Sequence, residues 1–510
     1  MSASPSPMQE KSAPFKIAII GAGFAGICMG IRLKQAGIDD FVIYERANEL
    51  GGTWRDNTYP GSACDVPSHL YSFSFNLKKD WPRVYSSWEE IQGYLHRCAD
   101  KYGLRSHIKY GVTINNSRFD EDSGLWTLTA ETGDSYSANV IASGTGPLNK
   151  PFVPDIPGLI DFKGKTFHSS HWDHDFDCEG KTIAAIGNGC SGIQYIPEIA
   201  PKVSRLHVFT RTPTWIVPRF DRAYAKIERW AFKWIPAWPR LYRYYIYWRN
   251  EYYGLGIIGY PFFNKLLQKL AHLNLNARVK DPVLREKLTP TFQIGCKRIN
   301  ISDDYYQTLQ RDNVELVTEG IQAATENGLV TADGKERPVD AIIFGTGFVT
   351  TEYLQPMKIY GRGGKELTEQ WQAGAESYLG ISVAGFPNYF LLLGPNTGLG
   401  HNSVIFMIEA QVDYVMNAIE KLRAGVADAV DVRADVQRAF SEKIQRELDS
   451  TSWASGCQSW YLAPDGRNFS IWPGFTMSYW FKTRHFEPSK YELLTCKSKA
   501  SPGQAERIAA

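Results

Sequence analysis

Ten histidines occur in the 510-residue chain, and three of them crowd one stretch, FKGKTFHSSHWDHDFD, from Phe162 to Asp177. His168, His171 and His174 stand there beside Asp173, Asp175 and Asp177. Imidazoles and carboxylates are the usual ligands of first-row metals, so the residue types suit a metal centre. The spacing does not. On a helix, positions i, i+3 and i+6 drift round the axis, and on a strand residues three apart point to opposite faces. Neither element converges three imidazoles on one ion; only a loop could, so a metal site is the minority reading, none is expected, and a solvated polar turn is the plain alternative. The eight cysteines, at 28, 64, 98, 178, 190, 296, 457 and 496, contain no C-x-x-C pair, so a zinc ribbon or redox dithiol has no support. Their scatter along a long chain fits a reducing compartment.

Two glycine-rich turns carry a clearer chemistry. FKIAII (15–20) enters GAGFAG (21–26), a helical pattern follows to about Gln35, and FVIYE (41–45) is a second apolar run. In this strand, turn, helix, strand order Gly21 permits the tight turn and Gly23 lets backbone approach a pyrophosphate. Gly26 lets helix and strand pack closely. The helix N-terminus then faces phosphates, and Glu45 is placed to accept hydrogen bonds from a ribose. The pattern recurs. KTIAAI (181–186) enters GNGCSG (187–192), with Gly187, Gly189 and Gly192 in the three positions, and RLHVFTR (205–211) follows. Arg211, between Thr210 and Thr212, stands where the first unit has Glu45. A cation there suits a 2′-phosphate. The first site is therefore expected to take FAD and the second NADPH.

These turns need two α/β scaffolds. The expected fold is α/β with two Rossmann-like dinucleotide-binding domains, the second nested in the first. VIASGTG (140–146) and AIIFGTGF (341–348) are apolar runs ending in Gly-Thr-Gly, each able to return the chain to a sheet. The FAD-binding domain is expected over 12–150 and 340–495, and the NADP-binding domain over 151–220 and 291–339. Residues 221–290, rich in aromatics and basic residues, read as an inserted helical subdomain that lines part of a substrate tunnel. A helical bundle without ligand contacts fits as well, and docking on a membrane surface is the least expected option. Residues 1–11 and 497–510 read as flexible tails.

Composition agrees with a globular protein able to bury a large core. The chain is 43% hydrophobic and 22% charged, and its net charge of +2 is too small to suggest nucleic acid as a partner. The N-terminal MSASPSPMQEKSAPF lacks the apolar core of a secretory signal, and no apolar run approaches the ~18 residues of a membrane span. A cytoplasmic location is expected.

Two dinucleotides suggest electrons passing from NADPH to flavin. Disulfide reductases need a cysteine pair beside the flavin, but after the first βαβ unit the chain reads GGTWRDNTYPGSACD (51–65), with Trp54 where such a pair might begin. Residues 51–65 match [A/G]-G-x-W-x-x-x-x-[F/Y]-P-[G/M]-x-x-x-D at every defined position, from Gly51, Gly52 and Trp54 to Asp65. The histidine-rich stretch matches F-x-G-x-x-x-H-x-x-x-W-[P/D] through Phe162, Gly164, His168, Trp172 and Asp173. In these motifs, in their order round the two fingerprints and in GPNTGLGHNS (394–403), the chain resembles the type I Baeyer–Villiger monooxygenases. The resemblance runs from about residue 15 to 490. The chain departs from many members around Arg55–Ala63, where more basic and aromatic residues are common.

The resemblance implies an NADPH- and O2-dependent flavoenzyme that forms a C4a-peroxyflavin and inserts oxygen beside a ketone carbonyl, giving an ester or lactone. Sulfides are a further substrate class. It implies Arg298 as the cation stabilising peroxide and adduct, Asp65 as the group orienting it, and Lys297 as a partner of Arg211 on the NADP 2′-phosphate. Gly52, Thr53, Trp54, Asn396 and Thr397 are expected near the flavin, and Ser191 and Thr212 near the second nucleotide. Gly164, His168 and Trp172 are expected in a linker that couples the motion of the two domains, with His171 and His174 incidental. The rivals are a flavin-containing N/S-monooxygenase, whose second motif usually lacks Trp172, and a non-catalytic FAD/NADP-binding sensor. Neither the particular ketone nor the oligomeric state is legible.

Overall fold

The apolar run that precedes GAGFAG forms strand β1 (Ile17–Ile20), followed by helix α1 (Phe24–Gln35) and strand β2 (Phe41–Glu45). This description comes from a computed structural model covering residues 15–496 apart from 351, 353, 458 and 464. The expected tails, 1–11 and 497–510, lie outside the described residues. Along the chain follow β3 (Ile108–Tyr110), β4 (Val140–Ser143), β5 (Lys165–His168) and β6 (Thr182–Ile186). Helix α2 (Gly192–Ile199) and β7 (Arg205–Phe209) complete the second βαβ unit. Three helices come next: α3 (Lys226–Trp234), α4 (Trp238–Ile258) and α5 (Pro261–Arg278). The chain returns through β8 (Val314–Val317), β9 (Ala341–Phe344), β10 (Tyr389–Leu391) and helix α6 (Val404–Arg423).

Two parallel five-stranded sheets result, ordered β10-β4-β1-β2-β3 and β8-β7-β6-β9-β5. The orders correspond. In each, the strand before the glycine turn lies between the second strand of its βαβ unit and a strand ending in Gly-Thr-Gly. Ile19 of β1 is in register with Ile43 and Ala142, and Ala185 of β6 with Val208 and Ile343. Strands β1, β4 and β9 are buried along their whole length, as parallel sheets covered on both faces require.

Two expectations about the path of the chain change. The run AIIFGTGF enters the second sheet as β9, between β6 and β5, so the return to the first unit comes after Phe344 rather than near 340. The first unit takes its outer strand from β10 instead. The segment expected as a linker begins as β5, an edge strand in parallel register with β9 (His168 opposite Phe344). Alternating burial is absent from its pattern, which explains why periodicity misses it.

The cysteine reading changes too. Cys296 and Cys457, separated by 161 residues, form a disulfide, so the expectation of scattered reduced thiols does not hold for this pair.

Candidate active site

The first fingerprint is built by close backbone contact. Gly21 has φ +94°, and a Cβ there would lie 2.7 Å from the carbonyl oxygen of Gly144, in the first Gly-Thr-Gly turn. Gly187 repeats this with φ +106° and a Cβ position 2.4 Å from the carbonyl oxygen of Gly345. Side chains at Gly26 and Gly192 would strike the carbonyls of Gly21 and Gly187. Gly23 and Gly189 differ: a Cβ at Gly189 would meet no protein atom within 4 Å, and one at Gly23 would meet only Gly52, at 3.7 Å. The turn glycines are thus demanded by the fold, and the middle ones leave the mouth of each helix open to a phosphate.

Glu45 is buried at the end of β2. Its carboxylate accepts the amides of Ala22 (2.8 Å) and Ala47 (3.0 Å) and is paired with Arg55 Nη1 at 2.7 Å. Arg55 also grips Asp56, and these carboxylates raise its basicity against the opposing effect of burial. Gly52, with φ +56°, lies against Gly23, and Thr53 and Trp54 open the single turn Thr53–Asp56. Trp54 is buried, and its Nε1 donates to Tyr71 Oη at 3.2 Å.

Ser191 stands at the N-terminus of α2 without a side-chain capping bond, and Thr212 is fixed through its carbonyl, which accepts from Asn188 Nδ2 at 3.1 Å. Arg211 is exposed beyond the end of β7, and Lys297 stands beside it. Burial and the Arg211 charge together hold the Lys297 ammonium below the ordinary lysine range. Among the described residues neither cation forms an ion pair. Two neighbouring cations without a counter-charge suit an anion.

The two halves meet at Arg298. Its Nε donates to Asp65 Oδ2 at 3.1 Å, Nη2 donates to the same oxygen, and Nη1 lies 3.4 Å from the Leu399 carbonyl. Asp65 ends the motif that follows the first βαβ unit, whereas Leu399 belongs to GPNTGLGHNS. Cys190, from the second fingerprint, and the buried Tyr461 also lie within the electrostatic reach of Arg298. Burial alone would raise the Asp65 carboxyl, but the Arg298 guanidinium brings it below the usual carboxylate range. The Asp65 charge in turn raises Arg298 far above its ordinary value despite burial. Both groups stay charged at neutral pH. The residue before Lys297 is the disulfide-bonded Cys296, which ties this segment to the 457 loop.

The remaining expected residues divide. Gly164 packs where a Cβ would lie 2.5 Å from the Asp340 carbonyl. His168 is buried, its Nδ1 engaged by the Ser170 amide (3.1 Å) and hydroxyl (2.8 Å), and burial lowers it to about 4. Trp172 packs against Tyr195, whose ring meets Tyr59 from the 51–65 motif. His174, expected to be incidental, bonds Thr58 Oγ1 at 2.8 Å and so joins the same two segments. Asn396 and Thr397 commit their side chains to the loops themselves. Asn396 Nδ2 donates to the carbonyls of Asn468 (2.8 Å) and Ile471 (3.2 Å), and Thr397 Oγ1 donates to Gly394 (2.6 Å). Their hydrogen bonds therefore shape the loop walls. Sequence reasoning missed Gln194, whose amide accepts from Tyr59 Oη (2.9 Å) and donates to the Ala63 carbonyl (2.9 Å). Its position on α2, immediately after a nucleotide fingerprint, was the available signal.

Residues 14–355 match the model of the flavin-binding monooxygenase-like family. A Baeyer–Villiger monooxygenase of Pseudomonas aeruginosa is 45% identical over 511 aligned positions, which span 100% of this chain and 97% of the relative. The chain belongs to the Baeyer–Villiger monooxygenases of that family. Solved Baeyer–Villiger structures share its fold. OTEMO in complex with FAD and NADP superposes with a TM-score of 0.85 at 28% identity, covering 93% of this chain and 98% of that one. Cyclohexanone monooxygenase from Rhodococcus sp. Phi1, bound to NADP+, gives 0.85 at 26% identity over 95% and 100%. Baeyer–Villiger membership gives the site its context: two dinucleotide-binding units with a charged pair, Arg298 and Asp65, at their junction.

Proposed function

We propose that this chain is an FAD-containing, NADPH-dependent monooxygenase that uses O2 to insert one oxygen atom beside a ketone carbonyl, giving an ester or lactone. The observation that carries the reading is the Arg298–Asp65 pair, placed beside Cys190 of the second fingerprint and Leu399 of the late loop. The residues fit both cofactors: the open mouth of α1 beside Gly23 and Gly52 suits the FAD pyrophosphate, and Lys297 with Arg211 suits the NADPH 2′-phosphate. FAD, reduced by NADPH, supplies the activation of oxygen.

The chain supplies charge and position. Arg298 presents a fixed cation where negative charge gathers on the carbonyl oxygen of a ketone under attack. Asp65 holds the guanidinium in place before the substrate arrives, so little reorganisation is needed at the barrier. Asp65 remains ionised and Arg298 remains protonated at neutral pH, so neither transfers a proton. Lys297 and Arg211 hold the nicotinamide nucleotide through its 2′-phosphate. Trp172, Tyr195 and Tyr59 keep the second unit in register with the 51–65 motif.

The test is incubation of the purified holoenzyme with NADPH, air and linear, cyclic and aryl ketones, with one thioether alongside. Product masses should show ester or lactone from at least one ketone, with one NADPH consumed per product. Sulfoxide from the thioether with no ester from any ketone would replace this reading by heteroatom oxidation.

A further inference from the structure

Helix α4 has two apolar faces, and the fold uses only one. Its inner face is fully committed. The buried Arg243 donates from Nη1 to the carbonyls of His69 (3.0 Å), Leu70 (2.8 Å) and Ser72 (2.9 Å). Glu251, also buried, accepts from Asn402 Nδ2 at 2.6 Å. On the opposite side Trp238, Leu241, Tyr245, Trp248 and Tyr252 recur at intervals of three and four, so they share one face. All five are exposed, Trp248 by 57%. Helix α5 adds Phe262, Leu266, Leu270 and Leu273, with Phe262 72% exposed. Ring contacts make the patch continuous: Tyr252 meets Phe263 at 5.6 Å, and Phe263 meets Phe262 at 5.5 Å. Single exposed apolar residues need no explanation, but a contiguous surface of this extent marks an interaction site.

Charge identifies the partner. Lys226, Arg229, Lys233, Arg240, Lys265 and Lys269 are exposed on the same three helices. From 226 to 278 the only carboxylates are Glu228 and Glu251. Glu228 is held by Arg222, and Glu251 is buried. A chain of net charge +2 has thus gathered cations round this aromatic surface, and among the described residues no exposed carboxylate of the three helices opposes them. Lysine is depleted from the cores of protein–protein interfaces. Tryptophan and tyrosine mixed with lysine and arginine suit the boundary between headgroups and acyl chains. Among the described residues no helix is long and apolar enough to cross a membrane. We infer that the outer face of α3–α5 docks on an anionic lipid bilayer, lying in its interface. Docking on a membrane, the least expected reading of this segment from sequence, becomes the one its surface favours.

The test uses the full-length holoenzyme and flotation with vesicles of phosphatidylcholine alone or mixed with phosphatidylglycerol. We expect flotation with the mixed vesicles, weakened by salt and accompanied by a blue shift of tryptophan emission. Trp248→Ala combined with Phe262→Ala should lower partitioning at least 10-fold, and Lys265→Glu combined with Lys269→Glu should do the same. These variants should keep the parent's turnover of a water-soluble substrate in vesicle-free buffer, which shows that they fold. Absence of flotation with mixed vesicles would overturn the inference. So would equal flotation with neutral ones, or a concentration-dependent dimer abolished by Trp248→Ala, which would assign the face to a second copy of the chain.

Discussion

Arg298 reaches Asp65 through one oxygen: Nε and Nη2 both donate to Oδ2, rather than forking across the two carboxylate oxygens. This sideways grip leaves Nη1 turned toward the Leu399 carbonyl at 3.4 Å, a contact long enough to be given up. Arg298 is therefore anchored firmly along one edge and only loosely engaged along the other, which suits an electrostatic stabiliser of a transient oxyanion. Arg298→Ala should still oxidise NADPH while ester formation falls by about 100- to 1,000-fold, the usual cost of losing one such donor. Asp65→Ala should lower the ratio of ester to NADPH consumed by a smaller factor, and Asp65→Asn, which keeps an acceptor, should lower it least. Unchanged ester yield in Arg298→Ala would remove the role.

Lys297 and Arg211 make a second prediction, about nucleotide choice. Arg211→Ala and Lys297→Ala should each weaken NADPH by about 10- to 100-fold, the range for a hydrogen bond to a charged group, and leave NADH nearly unchanged. The pH dependence has a definite sign. Burial and Arg211 hold Lys297 below the ordinary lysine value, so its charge is lost earlier than that of a free lysine as pH rises. The affinity of the free enzyme for NADPH should thus fall on a limb below about pH 10.4, where an unperturbed lysine titrates. Arg211→Ala should move that limb upward. Isothermal titration across the alkaline range reads both effects.

The glycine turns are legible because steric demand is local. Only glycine tolerates the close approach of Gly144 to Gly21 or of Gly345 to Gly187. Asp65 and Arg298 are a different case. Nothing in either neighbourhood announces that residues 233 apart will pair, and resemblance to a family brings them together. The membership of β9 is illegible for another reason. AIIF is apolar enough for the core of either sheet, and only its tertiary pairing with β6 and β5 decides where it goes. Gln194 and His174 act across segments whose juxtaposition exists only in the folded chain. The helical insert shows a mixed pattern. Its helices are readable from composition and periodicity, yet apolar residues all round α4 do not reveal which face is covered.

A third prediction concerns acid stability. His69 lies among the rings of Tyr224, Phe232 and Tyr242, where burial lowers it to about 3. Its folded value is depressed, so folding excludes its proton. The stability it permits is complete above an unfolded value of about 6.5 and is lost as pH falls toward the folded one. His168, lowered to about 4, acts in the same direction. The shifts correspond to losses on the order of 5 kcal/mol for His69 and 3 kcal/mol for His168 by the bottom of each window. His69→Phe removes one titration while keeping a ring in the cluster. The difference in Tm between pH 8 and pH 5 should narrow in that variant. An unchanged difference would show that His69 does not carry the acid sensitivity.

The disulfide makes the last prediction, because it lies so near Arg298. Cys296 is two residues before the arginine, and the Cys457 amide lies 3.3 Å from Cys296 Sγ. The bond closes a loop of 161 residues, and cross-links over long loops stabilise by about 2–4 kcal/mol, chiefly through the unfolded chain. Air-equilibrated protein, denatured without reductant, should therefore titrate six thiols, rising to eight after reduction. Cys457→Ser should lose about 2–4 kcal/mol relative to the oxidised parent, and the two should converge once the parent is reduced. The variant should also couple NADPH oxidation to ester formation less efficiently, because the segment bearing Lys297 and Arg298 loses its covalent anchor to the loop. Eight thiols before reduction would show that the cross-link does not form, and the stability difference should then vanish with it.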